Sequence, residues 1–335
     1  MNRDHNGNRW RVSGGPPGGP FQPVVPEQVG PRESSPRLWL HALLFLATIA
    51  TTTFSGLFLF GSFFSGCLYS IAVLTILGVH ELGHYFASRR WGVRATLPYF
   101  IPFPPNPYVL SFGTMGAVIK IRSPIPNRNA LVDIGAAGPI AGFVVAVIAL
   151  VVGLSLSEVQ SFETQRGLVF SPDGESILSS WMISLTLGKF PPGAIISLHP
   201  IALAGWLGLF ITVLNLLPIG QLDGGHIVYA LFGRRHTSIA NAATVLLFLL
   251  CLAGPPYSWL NVLRTSDFHA GLKVWAMSRW LGWIFFAVLV RAILGIQHPP
   301  PMDAETPLKP SRRVIGYVAL AIFVLCFIPV PFGEI

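Results

Sequence analysis

The chain has 335 residues, 11% of them charged and 52% hydrophobic, with a mean hydropathy of +0.61. Soluble domains carry roughly 25% charged residues, so a water-soluble globular protein is excluded and an integral membrane protein is indicated. The formal net charge of +8 does not point to nucleic acid, because the basic residues sit in short clusters beside apolar runs, as orientation signals do.

Residues 1–36 are rich in Gly, Pro and polar residues. Such a segment cannot bury enough apolar surface to offset its ordering entropy, and it reads as a disordered tail. It lacks the short apolar core and small-residue cleavage site of a signal peptide. A spanning helix needs about 20 apolar residues, and the run from Leu38 to Phe86 is too long for one. "TTTFSG" and "GSFFSG" place a break near 58–66, giving spans over roughly 38–58 and 66–88. Residues 94–122 follow and are too proline-rich for a helix interior. Within them "GAVIKI" alternates and is β-branched, which predicts a short hairpin or re-entrant loop. Its exposed edge could accept another strand.

The third span covers roughly 130–157. Its Gly135, Gly138 and Gly142 are spaced for close helix packing, and Asp133 reads as an N-terminal helix charge. A fourth span begins near Ala194, is apolar to Leu217, and is interrupted by Pro218, Gly220, Gly224 and Gly225 before continuing to Phe232. A fifth covers about 238–254, a sixth 278–297 and a seventh 314–332. The stretch 255–277 is amphipathic and fits an interfacial helix or a longer loop. Cys67, Cys251 and Cys326 are far apart and lie in or beside apolar runs, so they read as buried inert thiols.

Seven alternating spans put sixteen basic residues on one side, from Arg3 through Arg89, Arg128 and Arg234 to Arg313. Only Arg166, Lys189, Arg264, Lys273 and Arg279 fall on the other. The positive-inside rule then sets the amino terminus at the cytoplasmic face. The expected fold is an all-α polytopic membrane protein, with about seven transmembrane helices and a short membrane-associated β-hairpin after the second.

Against this apolar background, residues 78–90 read "GVHELGHYFASRR". Residues four apart on a helix share a face, so His80 and His84 can offer two imidazoles to one metal ion. Glu81 lies beside that face and can reach a metal-bound water, the HExxH arrangement of zinc hydrolases. Nine His and 8 Glu among 335 residues give about 0.006 chance matches to this pattern. Ionisable groups inside a membrane are costly and mark a functional site. With Arg89 at the interface, a rise of 1.5 Å per residue puts His84 about 7.5 Å and His80 about 13 Å inside it.

Catalytic zinc takes three protein ligands plus a water. "LNLLPIGQLDGGHIVYALFGRR" (214–235) offers Asp223, the one acidic residue between Glu175 and Asp267. Pro218 and the glycines free the local backbone to aim that carboxylate inward. Asn215 can bond a substrate carbonyl or orient the site. His226 is a weaker ligand candidate, and His298 in "QHPPP" reads as a capping or interfacial residue. His41, His199, His236 and His269 have no partner in the sequence.

With "HELGH" on one span and "NLLPIGQLDGG" on a later one, the chain resembles the site-2 protease family, the intramembrane zinc metalloproteases of peptidase family M50. Its motifs are HExxH and NxxPxxxLDG, the second met by Asn215, Pro218, Leu222, Asp223 and Gly224. "SPIPNRNALVDIGAAGPIAGF", "HPPPMD" and "FIPVPF" look like a bacterial and chloroplast-type branch. The resemblance spans roughly 65–335. It implies a membrane-embedded protease domain over 37–335, with a catalytic core at about 66–235 and accessory spans over 238–332. It implies one Zn2+ per chain on His80, His84 and Asp223, with Glu81 as general base. It also implies a transmembrane protein substrate whose helix unwinds and adds as a strand to the hairpin, at Gly116 and Val118, and siting in the bacterial inner membrane with the site toward the cytoplasm. The loop 158–193 is too short for a PDZ domain. A metal-ion transporter would use the same three ligands without a role for Glu81, and a non-catalytic membrane chaperone would be an inactive member with the same fold.

Overall fold

The computed structural model describes residues 37–106, 111–161, 176–188, 194–253, 269 and 280–331. The expected tail and nearly all of 255–277 lie outside them. Apolar stretches fold as helices because lipid leaves backbone groups no partner but one another. Helix α1 (Leu38–Phe60) ends at Gly61, whose left-handed φ of 68° closes it, and Ser62 then caps α2 (Phe63–Arg90). The expected break is therefore one tight turn. Strands β1 (Tyr99–Pro102) and β2 (Thr114–Val118) form the antiparallel hairpin, with Tyr99 opposite Val118. Its ladder extends past β2, since Thr96 N–H donates to Lys120 O and Arg122 N–H to Arg94 O.

The back of the hairpin is fixed to α1 and α2. Thr51 donates to Gly113 O at 2.6 Å, and Tyr69 donates to Phe112 O. Gly113, at φ 82°, lies flat on the α1 backbone beside Thr52, where a side chain would collide. His41 stacks on Tyr99 and bonds Pro98 O.

Helix α3 (Arg128–Ser155), capped by Asn127, packs between α2 and α5 (Pro200–Leu216). Membrane helices gain little from hydrophobic segregation and associate through small residues. Accordingly, methyl groups at Gly153 or Gly205 would run into the backbone across the α3–α5 contact. Asp133 departs from its expected role. It receives Arg312 at 3.1 Å and Trp91 Nε1 at 3.0 Å, so it is an ion-pair partner.

Residues 158–199 were expected as loop and span start. They contain β3 (Glu158–Ser161) paired with β4 (Ala194–Ser197), and between them α4 (Ile177–Leu187). The fourth helical run starts at Pro200, not Ala194, because Pro is preferred at the first helical position and His199 caps it. The chain breaks after Leu216 and resumes as α6 (Asp223–Phe232). A short 3-10 turn leads to α7 (His236–Ala253). Helices α8 (Gly282–Leu294) and α9 (Pro310–Cys326) complete the bundle. The seventh run thus lies about four residues earlier than expected, again because proline sets its start.

Among the described residues, Leu38–Phe60, Phe63–Arg90, Arg128–Ser155 and Asp223–Ala253 are long and apolar enough to cross a membrane. Three shorter apolar helices, α4, α5 and α8, accompany them. The protein is a multi-pass integral membrane protein of mostly α-helical build.

Candidate metal centre

Helix α2 presents His80, Glu81 and His84, all buried, on the side facing α3. Their level is set by the glycines of α3. A methyl at Gly138 would overlap the His84 ring, and one at Gly142 would stand 3.0 Å from His80 Nδ1. The expected small-residue packing is therefore also the recess that holds the two imidazoles. His84 Nδ1 bonds Ile134 O at 2.7 Å. A carbonyl only accepts, so His84 carries its proton on Nδ1 and leaves Nε2 bare for a metal. Pro139 lies one turn beyond and lacks an N–H, which loosens the α3 ladder at this level.

Asp223 arrives from the broken helix. Gly224 sits against Leu216 O and Gly225 against Gly220 O, closer than any side chain allows. This seats the start of α6 on the turn after α5 and points Asp223 at the histidines. His80 Nε2 and His84 Nε2 are 3.1 Å apart, and Asp223 Oδ2 lies 3.4 and 3.2 Å from them. Ligands about 2.0–2.1 Å from a tetrahedral zinc ion stand about 3.3 Å apart. The triangle matches that spacing, and the His2Asp donor set is that of a single Zn2+ pocket with a fourth position open.

The three sequence-expected ligands thus converge, and they do so on a cavity of about 800 Å³ that Glu81, Asn215 and Val118 also line. Asn215 Nδ2 lies 3.4 Å from His80 Nε2. The Glu81 carboxylate lies within reach of the Ile119 backbone N–H. Lys120 and Arg122 turn their backbone groups toward residues 94–96, so alternation turns those of Ile119 and Ile121 to the free edge. Both residues line the cavity, whereas Gly116 does not. The edge groups nearest the centre are therefore those of Ile119 and Ile121, a parity that the sequence could not set without the register.

One further cavity residue departs from its expected place, and the weaker ligand candidate His226 stays outside the metal site as expected. His298 is no interfacial cap. It is buried, and its Nε2 meets Nδ1 of His226 at 2.5 Å. Tyr229 stacks on His298, with His236 nearby. Their separation in sequence, more than seventy residues between His226 and His298, left no local signal to find. Residues 295–309 form a strap across this side. Met302 and Asp303 N–H groups bond Ile125 O and Pro126 O, and the Asn129 amide ties Pro307 and Lys309.

Comparison with known proteins agrees with the site. The family model described as Peptidase family M50 matches residues 68–253, more than half the chain. A probable chloroplastic zinc metalloprotease EGY1 of Arabidopsis thaliana is 38% identical over 55% of this chain and 33% of its own length. EGY2 of Oryza sativa subsp. indica is 35% identical over 50% and 30%, and EGY3 of the same rice is 30% identical over 76% and 41%. The chain thus spans about a third of the length of these curated relatives. No solved structure matches. The metal-ligand geometry and the family match agree, and the chain belongs to peptidase family M50.

Proposed function

We propose that the chain is an intramembrane zinc metalloprotease that hydrolyses peptide bonds within or near transmembrane segments of other membrane proteins. The observation that carries this reading is the meeting of His80, His84 and Asp223 at metal-ligand spacing in a cavity that also contains Glu81 and a free strand edge. A metal ion alone would suit transport. A carboxylate beside the ligands, facing a peptide-binding edge, suits hydrolysis.

Bound zinc supplies Lewis acidity, which makes water nucleophilic near neutral pH. His80, His84 and Asp223 hold it. Glu81 takes the proton of the attacking water and passes it to the leaving amine. Asn215 donates its amide to the substrate backbone. A helical peptide bond is shielded by its own turn, so the substrate unwinds and lies along the edge of Ile119 and Ile121, flanked by Gly116 and Val118. The bilayer aligns enzyme and substrate helices.

We also propose seven crossings, by α1, α2, α3, α5 with α6, α7, α8 and α9. The amino terminus and the metal centre then share the basic side, cytoplasmic in a bacterial inner membrane. The basic ends of α2 (Arg89, Arg90) and of the turn after α6 (Arg234, Arg235) support this orientation.

Glu81→Gln tests the reaction. The purified variant in proteoliposomes should keep its zinc and lose cleavage of a helical membrane substrate by about 10²- to 10⁴-fold. Cleavage at the parent rate would refute the protease reading.

A further inference from the structure

Exposure alternates along the hairpin past β2. Val118, Lys120 and Arg122 are exposed, and Ile119 and Ile121 are half-buried. Side chains two apart share one face of a strand, so Lys120 and Arg122 stand together on the exposed face. The ladder adds a third cation. The Ala95–Ile121 bridge and the bond from Arg122 N–H to Arg94 O set Arg94 directly opposite Arg122. Like charges at opposed positions destabilise a ladder, and a carboxylate beside them offsets that cost. Other basic side chains on this side of the protein have partners. Arg128 donates to Ala230 O, Arg89 to the Tyr85 hydroxyl, and Arg312 meets Asp133. Lys120 and Arg122 have their backbone N–H groups paired, yet neither side chain has a hydrogen-bond or ion-pair partner among the described residues. Asp303 of the strap instead caps its own turn, accepting from the N–H groups of Glu305 and Thr306.

Position gives this cluster a use. Lys120 lines the cavity and is the single Lys or Arg among the described residues that do. Ile121 and Ser123, on either side of Arg122, line it as well. Orientation signals flank spans and need no place in a cavity wall. Ile119 is the edge residue beside Glu81. Ser123 Oγ accepts from Arg94 N–H just past the basic end of α2, so the edge runs from the metal centre out to that end. A peptide paired along this edge sets two residues opposite Lys120 and Arg122. They lie one and three positions beyond the residue opposite Ile119, with their side chains on the cationic face. We propose that Lys120 and Arg122, with Arg94 opposed, are specificity determinants. They select substrates that carry Asp or Glu within about four residues of the cleaved bond, on the side of the basic helix ends. The proposal rests on the protease reading. A membrane helix in the usual orientation carries Lys or Arg at that end, and the cluster repels it. Charge complementarity of this kind sets partner choice more than total affinity.

A single-helix membrane substrate with its cut mapped supplies the test. Asp or Lys replaces, in turn, each of the residues out to about four beyond the cut on the basic side. The purified full chain cleaves each form in phosphatidylcholine proteoliposomes. At the best position, Asp should exceed Lys in kcat/KM by about tenfold, mostly through KM, and high salt should shrink the ratio. Lys120→Gln with Arg122→Gln should bring the ratio to within about twofold of unity. Lys120→Glu with Arg122→Glu should invert it. Zinc content should hold in both, since the ladder uses only the backbone of these residues. No difference between Asp and Lys in the parent, or a difference that survives the paired Gln changes, would overturn the proposal. So would equal stimulation of both forms by added phosphatidylglycerol with no preference between them, which would assign the cations to anionic lipid. Glu81→Gln, which binds without cutting, keeps the two readings apart. If it binds the Asp and Lys forms equally, selection by charge fails while the reaction stands. If it cleaves at the parent rate, the protease reading fails first.

Discussion

His84 owes its orientation to groups on another helix. Ile134 O fixes its proton, and Gly138 leaves the space for its ring. Gly138→Ala should therefore lower metal affinity by about 10- to 100-fold, as changes around metal ligands do. Zinc titration of the purified variant checks this. Gly153→Ala, at an equally tight α3–α5 contact away from the centre, should lower thermal stability and leave zinc affinity unchanged. The contrast separates recess from general packing. At this scale much was legible beforehand. "HELGH" declares its own geometry, because a helix puts residues four apart on one face. Asp223 stood out as a lone acid in an apolar region broken by Pro and Gly. The His226–His298 contact was not legible, since it depends on how a distant strap crosses the bundle. The glycine stripe was seen as packing, but spacing does not say what fills the space.

Among the elements, the hairpin is the one to which the proposed reaction assigns peptide binding. The Ile121 N–H faces the free edge, whereas the Lys120 N–H is taken by Thr96 Oγ1 at 3.0 Å. A free-edge position tolerates proline, and a paired one does not. Ile121→Pro should leave the fold and zinc intact and raise KM about two- to tenfold, the worth of one backbone hydrogen bond. Lys120→Pro should destabilise the hairpin. Unchanged KM in Ile121→Pro would remove the edge from substrate binding. The strap makes a pH prediction. His298 binds a proton near pH 6.5 when unfolded and, when folded, refuses it until about pH 3. Its contribution is full above pH 6.5 and is lost as pH falls from 6.5 toward 3. Melting curves across that window should be flatter for His298→Gln than for the parent. Element types came through from composition, including the hairpin from "GAVIKI". Helix starts shifted where proline and a capping histidine set them, at Pro200 and Pro310, and α4 was masked by its polar flanks.

For the molecule as a whole, the last helix is latched to the core at the end bearing the basic clusters. Arg312 of α9 meets Asp133 of α3, which also takes Trp91 beyond α2. Arg312→Met should lower stability by about 1–3 kcal/mol, because it leaves a half-buried carboxylate with one donor. Detergent melting curves measure this, and zinc content should not change. That the chain lives in a membrane followed from its 11% charged residues. How five helices, the hairpin and a strap enclose one cavity followed only from packing. The account turns on one dependence across this assembly: two imidazoles of α2 need a carboxylate from the broken helix about 140 residues later. Metal analysis of the parent and Asp223→Ala, with cleavage measured on the same samples, tests it directly. The account predicts about one zinc per parent chain, a large loss of zinc in Asp223→Ala, and loss of cleavage with it. Full zinc occupancy and undiminished cleavage in Asp223→Ala would contradict it.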